Sequence, residues 1–94
     1  MTAYLFLAGQ TVATPGALAA IEEAGQSPLD FIDRHLRGDW GNVPQEDAEL
    51  NTLALDPADP ARILSSYKTH KGARLWVITE WDRSVTTVLL PEEY

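Results

Sequence analysis

Ala73-Arg74-Leu75-Trp76-Val77-Ile78-Thr79-Glu80-Trp81-Asp82-Arg83-Ser84-Val85-Thr86-Thr87-Val88-Leu89-Leu90 is the run on which the fold turns. Two segments rich in β-branched and aromatic residues, 75–81 and 85–90, flank the polar triplet Asp82-Arg83-Ser84, the pattern of a β-hairpin with a short loop. Bulky side chains fall on both faces of 75–81, so this strand is expected at the centre of a sheet, covered on at least one side. Just upstream, Ile63, Ser65, Tyr67 and Thr69 alternate with Arg62, Leu64, Ser66 and Lys68. That period of two predicts a further strand, turned into the hairpin by Thr69-His70-Lys71-Gly72. Residues 62–90 therefore read as a three-stranded antiparallel meander.

Before the meander the period is helical. Thr14-Pro15 and Ser27-Pro28 each place a hydroxyl at an N-cap and a proline at the first helical position, and Gly25 and Gly38 supply the stops. The first helix is expected to bury Ala17, Leu18, Ile21 and Ala24, and the second Leu29, Ile32 and Leu36 with Phe31 and His35 on a flanking line. A third helix is expected from Pro44 to about Leu55, with Glu46, Asp47 and Glu49 early and Leu50, Leu53 and Ala54 packed. Asp56-Pro57-Ala58-Asp59-Pro60 breaks it and links the two halves. Tyr4 to Ala13 suggests a short strand or extended lead-in at an edge of the sheet. Helices followed by a run of strands is the α+β signature: two or three N-terminal helices packed on one face of a small antiparallel sheet. The chain is expected to form one domain over 1–94, with 1–55 its mostly helical, acidic half.

Composition narrows the function. At 45% apolar and 22% charged residues the chain has the makeup of a soluble globular protein. It has no cysteine, so thiol chemistry is excluded, and a cytoplasmic setting fits. The apolar run at Tyr4 to Ala8 is too short to span a bilayer and follows no basic residue, so neither a membrane anchor nor a secretory signal is expected. Residues 1–61 carry ten acids against two bases and residues 62–94 four against five, within a net charge of −7. A field of that sign repels a phosphate backbone and favours a protein partner with a basic surface over nucleic acid.

Candidate chemistry is sparse. His35 and His70 have no ligand partner at the spacing of a zinc motif, and neither a metal nor another cofactor is expected. Arg34-His35-Leu36-Arg37-Gly38-Asp39-Trp40-Gly41 gathers an imidazole, two guanidiniums, a carboxylate and an indole around one helix end. Such a set suits acid/base and phosphate-stabilising roles in a metal-independent ribonuclease. The plainer reading is that the arginines complement the helix C-terminus, Gly38 terminates it and Trp40 plugs the core. Asp82-Arg83-Ser84 with Thr86 and Thr87 reads more simply as turn and strand chemistry. Trp40, Tyr67, Trp76, Trp81 and Tyr94 exceed what so small a core readily buries, so an aromatic patch for a partner is expected. With Glu46, Asp47, Glu49, Asp82 and Arg83, the residues Trp40, Tyr67, Trp76 and Trp81 form the expected partner-binding set. A homodimer is allowed by the N-terminal edge strand or by the Trp76 face.

The phrases Gly9-Gln10-Thr11-Val12-Ala13-Thr14-Pro15-Gly16-Ala17-Leu18, Arg34-His35, Gly38-Asp39-Trp40-Gly41, Trp76-Val77-Ile78-Thr79-Glu80, Asp82-Arg83-Ser84, Thr86-Thr87 and Leu89-Leu90-Pro91-Glu92-Glu93-Tyr94 resemble a family of small uncharacterised bacterial proteins borne on plasmids and integrative elements. Members are often labelled plasmid-related or restriction-modification subunits, yet this chain is too short for a methyltransferase's cofactor site and catalytic motif. A looser, topological likeness is to RelE- and barnase-like toxin nucleases, which would implicate His35, Arg62 and Arg83. Acidity disfavours that alternative. The function expected is a non-enzymatic accessory role for a mobile genetic element, through protein binding and in the manner of anti-restriction or anti-CRISPR inhibitors.

Overall fold

A computed structural model describes residues 3–94 of the chain. In order these form β1 (Gln10–Ala13), α1 (Pro15–Glu23), α2 (Pro28–Leu36), α3 (Gln45–Ala54), β2 (Ile63–Lys68), β3 (Arg74–Thr79), β4 (Val85–Leu89) and a 3-10 turn at Pro91–Glu93. The fold is α+β. Its four-stranded sheet has the order β1-β4-β3-β2, with the hairpin strands β3 and β4 at the centre as expected.

Local chemistry sets the helix ends. The Thr14 hydroxyl accepts from the Ala17 N–H at 3.2 Å, and the Ser27 N–H donates to Asp30 Oδ2 at 2.9 Å to close a capping box on α2. After α2 the chain turns through Gly38 at φ 86°. That left-handed conformation favours glycine.

β2 pairs antiparallel with β3, and β3 with β4. β1 instead runs parallel to β4, Val12 beside Thr87, so the sheet is mixed. No tight turn joins β1 to its neighbour, and without one nothing imposes the antiparallel sense. Ala17 and Ile21 of α1 and Phe31, Ile32 and Leu36 of α2 pack with Tyr67, Leu75, Val77 and Val88 to make the core.

Four apolar expectations are corrected. Leu18 is 42% exposed, and Ala17 and Ile21 are the buried residues of α1. Leu29 is 68% exposed while Phe31 and His35 are buried, so the inward stripe of α2 is turned toward what had read as its flank. Leu50 and Leu53 are 62% and 70% exposed, and Asn51 and Ala54 are the buried residues of α3. The reason lies in where α3 docks. The Asn51 side chain donates to the Leu64 carbonyl at 2.8 Å and accepts from the Leu64 N–H at 3.1 Å. Those main-chain groups face away from β3, so α3 sits along the β2 edge of the sheet. Close approach to a strand edge calls for an amide and a small side chain, and the leucines are left outside.

Candidate functional site

The constellation at the end of α2 is divided by the fold. His35 turns inward and is fully buried, while Arg34 and Arg37 stay outside. Arg34 pairs with Asp39 at 2.7 Å and lays its guanidinium 4.4 Å from the Tyr67 ring centroid. This pairing holds the Asp39 carboxyl below its ordinary range. Arg37 pairs with Asp33 at 3.0 Å. Trp40 is half-buried against Phe6 and the edge of His35. The cations at the helix end and the Gly38 stop follow the plainer reading of this segment, whereas Trp40 is only half-buried and lies outside the core cluster.

Around His35 a chain of hydroxyls fixes every proton. The Thr86 hydroxyl donates to the Ala8 carbonyl at 2.8 Å, so toward Thr79, 2.6 Å away, it accepts. Thr79, having donated to Thr86, accepts from His35 Nε2–H at 2.9 Å. His35 Nδ1, then unprotonated, accepts from the Ser65 hydroxyl at 2.6 Å. One tautomer, neutral with the proton on Nε2, satisfies the set. Burial, with a lesser contribution from Arg83, pushes the imidazole down to about 3. Both ring nitrogens are engaged, and Phe6 stands edge-on with its centroid 5.2 Å away.

Arg83 is the other suspected catalytic residue. It has φ 59° at the hairpin turn. Its guanidinium donates to the carbonyls of Ala54 at 2.7 Å, Ala61 at 2.6 Å and Glu80 at 3.2 Å. Arg83 thus ties the end of α3 and the following linker to the hairpin. It lies 5.5 Å from the centroid of Phe6, the ring that also contacts His35. Arg62, the third, donates to the Tyr94 hydroxyl at 2.6 Å. These three residues do not converge on a shared open site.

The expected aromatic surface is also redistributed. Tyr67 is buried, its hydroxyl donating to the Asp39 carbonyl at 2.5 Å, so it offers no face to a partner. Trp76 is half-buried on the outer face of β3 with Tyr94 edge-on at 5.6 Å. Trp81, by contrast, is 61% exposed. It borders an open cleft of about 330 Å³ shared with Leu5, Phe6, Leu55, Pro57, Pro60 and Arg83, with Asp56 and Asp82 among its walls. Asp82 accepts from the Ser84 N–H and hydroxyl, which lowers its carboxyl below the usual range. Glu46, Asp47 and Glu49 are exposed on α3, the helix that presents Leu50 and Leu53.

Leu50, Leu53, Leu5 and Leu55 are contributors that the sequence pattern did not mark. One signal was available: Asn51 and Ala54 share a stripe three residues apart, the small and amide-bearing side that a strand edge accepts. Among the described residues no cluster of three or more potential metal ligands occurs, and no helix is long and apolar enough to cross a membrane. No family model matches the chain, and no curated protein or solved structure matches it at a significant level.

Proposed function

We propose that this chain is a non-enzymatic accessory protein of a mobile genetic element, acting by binding a basic protein surface and thereby inhibiting a host defence complex. The observation that carries the reading is the surface along α3 and the hairpin turn. Leu50, Leu53 and Trp81 stand 62%, 70% and 61% exposed on elements whose exposed side chains include Glu46, Asp47, Glu49, Asp56 and Asp82. An aromatic anchor that shares its cleft with Leu5, Leu55, Asp56 and Asp82, together with exposed leucines and carboxylates on α3, suits a partner that presents basic residues around an apolar centre. Nucleic-acid-binding surfaces of restriction and CRISPR effectors have that chemistry. Of the expected partner set, Trp81, Glu46, Asp47, Glu49 and Asp82 belong to this surface. Arg83 supports it from beneath, and Tyr67 drops out.

Phage plating on hosts that carry a restriction or a CRISPR system tests the proposal. Expression of the chain is expected to raise plating efficiency at least tenfold. The gain should vanish in the Glu46→Lys/Asp47→Lys/Glu49→Lys variant and in Trp81→Ala. No gain on any such host, or a gain indifferent to both variants, counts against it. So does metal-free RNA cleavage by the purified chain that His35→Ala abolishes.

A further inference from the structure

The two edges of the sheet are treated differently. Along β2, the Asn51 amide occupies Leu64, and Ser66 exchanges main-chain hydrogen bonds with Trp40 at 3.0 Å and Asn42 at 2.7 Å. Gly41, at φ 72°, makes the bridge to Ser66, where a Cβ would collide with the Ser66 carbonyl. Along β1 no such cover exists among the described residues. Gln10 and Thr14 N–H groups donate to β4 at Ser84 and Val88, so Thr11 and Ala13 point their N–H and C=O groups away from the sheet. The strand Gln10-Thr11-Val12-Ala13 is short, four residues, but has no charge, no proline and no bulge to deter edge pairing.

We infer that β1 pairs with β1 of a second copy of this chain, antiparallel about a two-fold axis at Val12, merging two four-stranded sheets into one. In this register Thr11 of each copy faces Ala13 of the other, and roughly four main-chain hydrogen bonds form around the Val12 pair. Self-complementarity selects a second copy as the occupant: the outward groups of Thr11 and Ala13 match those of another β1 about the two-fold axis. The first charged side chain is Glu22, so although each copy carries a net charge of −7, β1 itself brings no like charges together. A basic segment would find no carboxylate on β1. The two carboxylates in the groove beside it are already engaged, Asp30 with the Ser27 N–H and Asp33 with Arg37 and the Tyr4 hydroxyl. That groove, about 580 Å³ and lined by Tyr4, Ala8, Thr11, Leu29 and Ile32, has room for the partner's side chains.

Sedimentation equilibrium from micromolar to near-millimolar concentrations is the test. The wild-type chain is expected to move from 10.4 kDa toward twice that mass. Thr11→Pro removes an outward N–H that β4 does not use, and Val12→Lys sets two ammonium groups against each other at the axis. Each should weaken association at least tenfold, while Leu53→Ala on α3 leaves it unchanged. If Thr11→Pro loses its native circular dichroism, Val12→Lys decides, because it retains every main-chain donor. A mass of 10.4 kDa at all concentrations overturns the inference, as does a dimer that persists in a folded Val12→Lys variant. Dimerisation with no gain in Thr11 and Ala13 amide protection also overturns it.

Discussion

His35 shows how one side chain's surroundings can settle both its chemistry and its role. Its Nε2–H has one acceptor, Thr79, and its Nδ1 one donor, Ser65, so a second proton would have to turn the Ser65 hydroxyl from donor to acceptor and place a cation in a buried setting. Nitrogen NMR is expected to show the neutral Nε2–H form from neutral pH down to near pH 4. The folded state resists protonation down to about 3 whereas an unfolded histidine takes a proton near 6.5. Between those values the unfolded chain binds more protons, so stability is untouched above 6.5 and falls as the pH drops. His35 alone contributes a slope of up to about 1.4 kcal/mol per pH unit. Denaturant titrations of wild type and His35→Gln should differ by that slope, and parallel curves would refute the sealed, neutral ring. Arg83 makes a complementary prediction. Arg83→Ala loses three carbonyl contacts and should cost about 1–3 kcal/mol, with amides of 55–62 exchanging faster. Arg83→Gly should recover about 1 kcal/mol of this by relieving the positive φ. Equal losses in the two variants would mean that the turn stores no strain.

Among the elements, α3 departs furthest from its sequence pattern. A helix laid across a sheet face would bury Leu50 and Leu53, but this one presents Asn51 to a strand edge and supplies one residue's worth of ladder to β2. Asn51→Ala removes both bonds and leaves the Leu64 main chain unpartnered. The expected loss is about 1–3 kcal/mol, with faster amide exchange confined to α3 and Leu64. Exchange that rises uniformly across the chain would show that α3 is not a separable unit. The helices α1 and α2, by comparison, were legible nearly residue by residue. Hydroxyl, proline and glycine act within one turn of the chain and need no partner. Their inward faces were less legible: Leu29 and Phe31, two residues apart, lie on opposite sides of the helix, and which side is buried depends on where the sheet lies.

For the molecule as a whole, the C-terminal turn is held against the start of α1. Glu93 accepts from the Gly16 N–H at 3.2 Å, the Leu90 N–H at 2.8 Å and the Thr14 hydroxyl, tying the final turn to the start of α1. These donors lower its carboxyl below the ordinary 4.5, so the link is intact above that value and weakens as the pH falls below it. Glu93→Gln at neutral pH should therefore reproduce the acid behaviour, with Gly16 and Leu90 amides losing protection while the core strands keep theirs. Unchanged protection of those two amides would remove Glu93 as the clasp. Alternation of β-branched residues and helix-end punctuation, read from sequence alone, determined the α+β class, the central hairpin and the starts of α1 and α2. Those signals depend on neighbours a few residues away. Tertiary structure alone decided that His35 is sealed, Tyr67 buried, α3 set on an edge and Arg83 a tie between segments. Each of these depends on groups brought together from distant parts of the chain, Ser65 and Thr79 around His35, Leu64 beside Asn51, Ala54 and Ala61 about Arg83, and no local spacing encodes such meetings.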